Sequence, residues 1–521
     1  MKENSFTQSM AWLHTWAGLV IGWLLFAIVF AGTLSVYAPE ITRWMQPETH
    51  RAGAAPSREA AIAVAEHWLR AHAAQADTWH IGLPSARAPL VEAGWRQGRG
   101  PETEVHLDPA SGEVVLARET EGGEHFVRLH ANLRGGTLGV WVVTVATVAM
   151  LAAIISGIII HKKIFKDFFT FRPGKGQRSW LDAHNASGVL TLPFLLMIAY
   201  TGATIAFMQV VPSGLLARYG TNFGAARADV VRNLAQPPKH EAAPLLPLAP
   251  FLARAETVLG AQHVDGLVIR HPGDAGAQVE AQRDFSDRLA AVADRAVFSG
   301  VDGRRLDQQT DWNGSAYAYR SLVGMHIAQF GGAWVYALYF VSGLAGSALV
   351  ATGLVLFTVK RKKADGRVTE ISPRFHRAAE SLNVAAVAGL MLACAAYLWA
   401  NRLLPAELPA RGAREIQAFF IVWLLTVPHA FLRPARQAWR EQLLILALLC
   451  LLLPVLNALT GGLPLPQALV AGNAQVAGVD LAAFGLGALM LAAALRIGRA
   501  RPARAGRRNA PAQALQPSGS P

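Results

Sequence analysis

Eight separated runs of apolar residues constrain this chain more than any other feature of its sequence. A bilayer core is spanned by a helix of about 20 mostly apolar residues, so each run predicts one membrane-spanning helix. The composition agrees, because 52% of the 521 residues are apolar and only 16% are charged. We therefore predict a polytopic α-helical membrane protein of eight transmembrane helices, at 12–37, 137–160, 183–208, 334–358, 381–401, 415–432, 441–460 and 476–496.

The basic residues indicate how the chain is oriented in its membrane. The net charge is +13, and most Lys and Arg residues lie beside apolar runs, as in "HKKIFKDFF" after the second run and "VKRKK" after the fourth. Such residues mark the cytoplasmic side, so we expect both termini in the cytoplasm of a bacterial inner-membrane protein, with lipid but no nucleic acid as a partner. The long segments after the first and third helices are then periplasmic. The first run is longer than a signal-peptide core of about 7–15 residues, so we expect it to remain as an anchor.

The first and third helices repeat one pattern. In "HTWAG" and "HNASG", His14 and His184 each stand 4 residues before a glycine, Gly18 or Gly188. Each histidine is also followed by a second glycine, Gly32 or Gly202, and this longer spacing is the same in both helices. Agreement of two spacings indicates that the helices are copies of one another.

The second and fourth helices repeat another pattern. His130 opens "HANLRGG" and His326 opens "HIAQFGG", and each stands 27 residues before a glycine, Gly157 or Gly353. Both copies run in the same direction, so we predict a duplicated helix–segment–helix unit related by an axis along the membrane normal.

Depth sorts the repeated histidines into two pairs. His14 and His184 begin outward-running helices near the cytoplasmic face, whereas His130 and His326 precede inward-running helices near the periplasmic face. A spanning helix is about 30 Å long, so only histidines at the same face can share one metal. Two neutral imidazoles facing each other across a bundle are suited to a haem iron. The sequence thus predicts one or two b-type haems, with these four histidines as the iron ligands.

Three further residues have alternative interpretations. Gly18 and Gly188 lie on the same helix face as the histidines and either leave room for the macrocycle or allow close helix packing. His161 ends the second helix at the depth of His14, and it either replaces a paired ligand or extends toward the interface beside its neighbouring lysines.

Each extramembrane segment reads as a helix, at 57–72 or 248–259, followed by short strands. The turns "LDPASGEVV" and "FSGVDGRRL" carry the Asp, Pro and Gly residues of hairpins. These turns and the anchor "WLHTWAG" resemble the PepSY domain and the PepSY-associated transmembrane proteins over residues 1 to about 365. The resemblance implies two small α+β PepSY-like domains and the activity of inner-membrane siderophore reductases.

The resemblance and the paired histidines lead to one main functional hypothesis. We expect an oxidoreductase enzyme that passes electrons from a quinol or a cytoplasmic donor to a periplasmic ferric siderophore, which releases its iron on reduction. A PepSY-type binding or regulatory protein without redox activity and a transporter for iron or siderophore are the alternatives. No nucleotide or flavin motif is present in the sequence, and Cys394 and Cys450 both lie within apolar runs.

The predicted organisation follows from these elements. The last four helices lie outside the duplicated unit, and we interpret them as a packing or assembly module. The predicted parts are TM1 at 1–37, PepSY-like domain 1 at 38–129, TM2 at 130–161, a cytoplasmic loop at 162–182, TM3 at 183–208, PepSY-like domain 2 at 209–325, TM4 at 326–360, a cytoplasmic loop at 361–380, the four-helix region at 381–497 and a disordered basic tail at 498–521.

Overall fold

A computed structural model describes residues 5–51, 53, 57–161, 172, 174, 176–284, 286–363 and 365–499. Most of the predicted loop 162–182 before residue 176, and the predicted tail from residue 500 onward, lie outside the described residues. Within them, seven helices are long and apolar enough to cross a membrane, and a bent pair of helices, Phe6–Val20 and Gly22–Ser35, together passes the same test. The chain is therefore a polytopic helical membrane protein, as the apolar runs predict.

The described part of the chain contains the following helices and strands. The helices are α1 Phe6–Val20, α2 Gly22–Ser35, α3 Ala38–Met45, α4 Arg58–His72, α5 Glu124–Asn132, α6 Gly136–Ile160, α7 Gln177–Val210, α8 Ser213–Tyr219, α9 Phe223–Val230, α10 Ala249–Leu259, α11 Gly314–Ile327, α12 Gly332–Lys360, α13 Pro373–Leu403 with a π turn at Ala385–Gly389, α14 Arg411–Leu432, α15 Ala435–Leu459, α16 Leu465–Val470 and α17 Ala474–Arg499. The strands are β1 Thr78–Gly82, β2 Val91–Arg96, β3 Thr103–Leu107, β4 Val264–Arg270, β5 Gln278–Arg283, β6 Arg295–Ser299 and β7 Arg305–Gln309.

The first predicted span is broken rather than continuous. Helices α1 and α2 meet at Ile21 with a bend of 65°. No proline causes this bend; instead, Gly22 packs so closely on α12 that a Cβ atom there would lie 2.9 Å from Leu354 Cδ2. The break thus coincides with a close contact to a distant helix, which the apolar pattern of 12–37 does not reveal.

The second and fourth spanning helices begin at Gly136 and Gly332, within two residues of the predicted spans 137–160 and 334–358. His130 lies on the short helix α5, and His326 lies on the short helix α11, so both precede the membrane helices α6 and α12. Left-handed backbone ends each short helix, at Leu133 (φ 51°) and Ala328 (φ 57°), and the glycine-rich turns that follow start the next helix. The boundaries 130–161 and 326–360 therefore each combine a turn of α5 or α11 with a separate spanning helix.

The two extramembrane segments share one antiparallel sheet in the order β3-β2-β1-β4-β5-β6-β7. Strand β1 of the first segment pairs with β4 of the second, with Trp79 opposite Ile269. Helices α4 and α10 pack on one face of this sheet, where Ile62 and Phe251 join a single apolar core with strand residues from both segments. The segments are therefore not the two separate domains that we expected, although their helices lie within about one residue of 57–72 and 248–259.

The last four membrane helices pack against the first half of the chain. Helix α13 is the most enclosed: 78% of its most apolar 18-residue stretch is buried, against 28–33% for α6, α7 and α12. Its Tyr397 and the Phe419 ring of α14 lie in one apolar core with Trp44 of α3 and Phe126 of α5. We call the ends of the membrane helices that meet the sheet segments the sheet end, and the ends where α1 starts and α12 finishes the basic end.

Candidate functional site

The structure brings the four repeated histidines together in two pairs. At the basic end, the ring centres of His14 and His184 are 6.2 Å apart, and their planes are inclined by 70°. At the sheet end, the ring centres of His130 and His326 are 5.8 Å apart, and their planes are inclined by 25°. These are the pairs that the repeat spacing and helix depth predict.

A hydrogen bond fixes the orientation of each ring. The Nδ1 atoms of His14, His184 and His130 lie 2.9, 3.0 and 2.9 Å from the carbonyl oxygens of Ala153, Leu349 and Ile28. A carbonyl can only accept, so Nδ1–H donates and the lone pair of the neutral ring lies on Nε2. Such a bond from the other ring nitrogen is the usual way in which proteins orient a metal-binding imidazole.

A hydroxyl group also lies beside the ring of His326. Its Nδ1 lies 3.0 Å from Thr201 Oγ1, and that hydroxyl donates to Met197 O at 2.8 Å. The hydroxyl proton is therefore occupied, and the oxygen can accept from His326 Nδ1–H. Among the described residues, no hydrogen bond reaches Nε2 of any of the four rings, so each ring keeps one nitrogen available as a ligand.

Each ring packs directly against a glycine of a neighbouring helix, and we call this glycine the seat of the ring. A Cβ atom at Gly157 would lie 3.1 Å from His14 Cε1, and one at Gly353 would lie 3.1 Å from His184 Cε1. Gly157 and Gly353 are the glycines that define the repeated spacing from His130 and His326. The repeated pattern therefore includes the glycine seats as well as the histidines.

The sheet-end seats are tighter. A Cβ atom at Gly32 would lie 2.6 Å from His130 Nδ1, and one at Gly202 would lie 2.8 Å from His326 Cε1. Real Cβ atoms do not approach neighbours this closely, so a larger residue at either position has to displace the imidazole. The longer spacing from His14 and His184 ends at Gly32 and Gly202. These two glycines are needed for the packing of the sheet-end rings.

An apolar cavity of about 390 Å³ borders the basic-end pair, between α1, α2, α6, α7 and α12. This volume is within the range of about 300–1,000 Å³ that is usual for cofactor and small-molecule sites. Gly18 and Gly188 both line the cavity, and a Cβ atom at Gly18 would meet nothing within 4 Å. At Gly18 the glycine therefore leaves open space. A Cβ atom at Gly188 would lie 3.4 Å from Leu349 Cδ1, which is ordinary packing distance.

His161 lies at the mouth of the same cavity, where it follows the last residue of α6. Phe357 occupies the equivalent position of the second copy and also lines the cavity. His161 therefore lines the same cavity as His14 and His184, whose ring centres are 6.2 Å apart.

The spacing of both pairs is compatible with a shared metal. Two imidazoles that bind one metal through nitrogen at about 2 Å place their ring centres about 6 Å apart, because each nitrogen is about 1 Å from its ring centre. The observed separations are 6.2 and 5.8 Å. With Nδ1 engaged and Nε2 available, the residues of both pairs are of a kind that would hold a haem iron.

Comparison with known sequences identifies the family. A model of the PepSY-associated TM region matches residues 11–360, about two thirds of the chain. The chain belongs to this family. The resemblance noted from the turns and the anchor is thereby confirmed. The chain is also similar to "Uncharacterized protein PA4219" of Pseudomonas aeruginosa, with 27% identity over 381 residues, which cover 70% of this chain and 92% of that protein.

Helices α13–α17 follow the part that matches the PepSY-associated TM family, and they hold the segment that leads into α5. The buried pair Arg411–Glu415 is fully enclosed. Glu415 also accepts from the Thr120 hydroxyl at 2.6 Å, and Arg411 Nη1 donates to Glu119 O at 3.0 Å. The Tyr397 hydroxyl donates to Gly122 O at 2.9 Å. These bonds fix the chain a few residues before His130.

A second polar network ties α3 to the last helices. Trp44 Nε1 donates to Asp480 Oδ1 at 2.8 Å, and Asn457 Nδ2 donates to the other oxygen of Asp480 at 3.0 Å. Arg402 donates to Asn457 Oδ1 at 2.7 Å and to Trp44 O. The sequence shows these polar residues in or beside apolar runs, but it does not show that they meet α3.

His125 is a buried residue that the sequence pattern did not single out. It is fully buried on α5, with Tyr397 and Phe419 rings 4.6 Å from its centre. Neither ring nitrogen has a hydrogen-bond partner among the described residues. Burial, followed by the charge of Arg134, lowers the pKa of His125 from 6.5 to about 3. The ring is therefore a neutral aromatic contact between α5 and the last four helices.

A separate group of ligand-type residues lies on the sheet. Glu92 of β2 and Glu104 and His106 of β3 bring their oxygen and nitrogen atoms within 4.8 Å of one another. They alternate with core residues, so they lie on the face opposite α4 and α10. Burial, followed by the Glu104 carboxylate, raises the pKa of Glu92. Cross-strand pairing creates this group, which explains why helical spacing along the sequence did not predict it.

Proposed function

We propose that this protein is a haem-containing membrane oxidoreductase that moves electrons between the basic end and the sheet end, toward a ferric siderophore held near the sheet. One observation carries the proposal. Two histidine pairs at opposite ends of one bundle each have ring centres about 6 Å apart, with Nδ1 held by a neighbouring helix.

The chain's own residues would bind and orient the cofactor. His14 and His184 would hold one haem iron at the basic end, and His130 and His326 would hold a second at the sheet end. When bound, haem supplies one-electron redox chemistry. The carbonyls of Ala153, Leu349 and Ile28 keep the Nδ1 proton in place, so that Nε2 remains the metal-binding nitrogen.

Orientation and duplication are parts of the same proposal. The basic segments support cytoplasmic termini in a bacterial inner membrane, which would place the sheet in the periplasm. The matched seats and rings of the two halves support descent of residues 1–360 from a duplicated unit. A quinol or a cytoplasmic partner would donate electrons at the basic end.

The substrate of the proposed reaction is a ferric chelate. One electron converts Fe(III) to Fe(II), which hard oxygen donors hold more weakly, so iron leaves the chelator. The sheet and the sheet-end pair lie on the same side of the bundle, which is where a periplasmic chelate would have to be reduced.

A reduced-minus-oxidised absorption spectrum of the purified full chain tests this function, together with haem quantitation. We expect a Soret band, α and β bands on reduction, and about two haems per chain. Loss of the reduced bands on addition of a ferric siderophore would demonstrate electron transfer to that substrate. Protein from haem-replete cells that lacks a Soret band would contradict the proposal and leave a PepSY-type binding protein or a transporter as the function to test.

A further inference from the structure

The cavity at the basic-end pair has two chemically different ends. Its inner end is lined by aliphatic side chains such as Leu25, Val29 and Leu195. Its mouth is lined by Lys360 and Arg361, the last residue of α12 and the residue that follows it. A ligand that fills both ends has to be apolar over most of its surface and anionic at one edge.

Arg361 is held in place as part of the cavity wall. Its guanidinium lies 3.9 Å from the centre of the Phe357 ring and 6.0 Å from that of Trp16. Nη1 donates to Phe357 O at 3.2 Å, and Nε lies 3.4 Å from a carboxylate oxygen of Glu370. The residue is only 6% exposed, so the aromatic rings fix the cation against the cavity.

The charges at this mouth are not fully balanced by the protein. Glu370 is the one carboxylate that pairs with Arg361 among the described residues, and its side chain is 62% exposed, so the pair is partly screened by solvent. Lys360 forms no ion pair with any residue in the described part of the chain. Lys360 is exposed, whereas Arg361 is buried. A buried cation is costly unless an anion faces it, so Arg361 favours an anionic ligand group at the mouth.

The distance from the histidine pair is suitable for such a group. Gly353, which seats the His184 ring, lies 7 residues before Lys360 on the same helix. With a rise of about 1.5 Å per residue, the mouth is about 10 Å along the helix axis from the seat. A flat ligand that extends from the rings to the mouth brings its edge to the two cations.

We infer that Lys360 and Arg361 bind the carboxylates of the ligand in this cavity. This step rests on the proposed function: the carboxylates are then the two propionates of the basic-end haem. The propionate edge then points to the basic end, and the apolar edge points into the bundle. A phospholipid phosphate could supply the same negative charge, and the experiment below separates the two sources.

The test compares haem with its dimethyl ester, which has the same ring but no carboxylates. The full-length apoprotein, prepared without its basic-end haem, is titrated with each compound and followed by the Soret band. Charge-assisted hydrogen bonds of this kind are worth a factor of about ten or more in affinity. We expect the wild type to bind haem at least about tenfold more tightly than the ester.

Variants assign this difference to the two cations. Arg361→Gln should weaken haem binding, and the double variant with Lys360→Gln should bind haem about as weakly as the wild type binds the ester. The ester affinity of both variants should be unchanged. Lys362→Gln is the matched control, because Lys362 carries the same charge two residues from Lys360 but pairs with Glu380 at 3.4 Å and does not line the cavity. This control should bind both compounds like the wild type.

Three outcomes would overturn the inference. The first is equal affinity of the wild type for haem and ester, a result that does not depend on whether a variant folds. Equal loss of both affinities in Arg361→Gln would mean that the residue is only structural. A phospholipid that copurifies and remains bound after haem loading would assign the cations to lipid. If the wild type binds neither compound, the proposed function itself fails, which is a different result.

Discussion

Within each histidine pair the two members have the same spacing to a glycine, but the two pairs have different surroundings. The basic-end pair lies on the long helices α1 and α7, has rings inclined by 70° and borders a cavity of about 390 Å³. The sheet-end pair lies on the short helices α5 and α11, has rings inclined by 25°, and does not border that cavity. The repeat therefore determines which rings meet, whereas the surrounding elements determine how each pair is enclosed.

The difference also shows what the last four helices contribute. They contact α5 and the segment before it through Arg411, Glu415 and Tyr397. The rings themselves bond to helices of the family region at both ends. The partners are Ala153 and Leu349 at the basic end. They are Ile28 and Thr201 at the sheet end. We interpret helices α13–α17 as a support for the sheet-end pair, which refines the packing module expected from the sequence.

Among the changes that distinguish the two pairs, removal of one imidazole should have the largest effect on haem content. We expect His184→Ala to lower the haem content from about two to about one per chain, because one of the two imidazoles that would hold the basic-end haem is lost. His161→Ala serves as the matched control at the same cavity and should keep both haems. Haem quantitation measures the haem content of both variants. If His161→Ala lost a haem and His184→Ala retained both, the ligand assignment would be reversed.

Breaking the buried ion pair should strongly destabilise the sheet end. Glu415→Ala leaves Arg411 enclosed without its carboxylate, which typically costs about 3–5 kcal/mol. We expect lower thermal stability in detergent and preferential loss of the sheet-end haem. Glu441→Ala is the control, since it removes a partly exposed carboxylate of α15 that pairs with Arg433 and His429. An equal effect of both variants would contradict the proposed support of α5.

Acid should loosen the contact between α3 and the last helices through His50. Its Nε2 donates to Arg43 O at 2.9 Å, while Nδ1 accepts from Leu463 N at 3.0 Å. Burial, followed by the charge of Arg402, lowers the pKa of His50 from 6.5 to about 4. The neutral form is thus favoured in the folded protein, so its contribution is complete above pH 6.5 and is lost as the pH falls toward 4.

The size of this effect can be measured as a difference between two proteins. A depression of this size corresponds to about 3 kcal/mol at most, at about 1.4 kcal/mol per pKa unit. Thermal unfolding should show that wild type loses more stability than His50→Gln between pH 6.5 and 4. Parallel pH profiles of the two proteins would show that His50 is not the responsible group.

A single methyl group should distinguish a seat from open space. Gly32→Ala places a Cβ atom 2.6 Å from His130 Nδ1, and such overpacking costs about 1–3 kcal/mol. We expect weaker retention of the sheet-end haem and an unchanged basic-end haem. Gly485→Ala on α17, where nothing lies within 4 Å and which does not line the cavity, should change retention less. The prediction fails if the two alanine variants release haem at equal rates.

The sequence was sufficient for features that depend on local pattern or on repetition. Apolar length predicts the spanning helices, and the spacings to Gly32 and Gly157 predict which histidines are equivalent. It could not predict the bend at Ile21 or the pairing of β1 with β4, because both arise from contacts between segments far apart in the chain. The sequence did not predict the burial of His125 and Arg361 for the same reason. Their neighbours come from other helices or from a turn that folds back.

Electron paramagnetic resonance of the oxidised full-length protein tests the central claim most directly. The ring planes are inclined by 70° in one pair and by 25° in the other. The two pairs should therefore give different low-spin ferric signals, because the inclination alters the electronic asymmetry at the iron. We predict two low-spin signals, of which one disappears in His184→Ala and the other in His326→Ala. The absence of a ferric haem signal, or signals that survive both substitutions, would contradict the account.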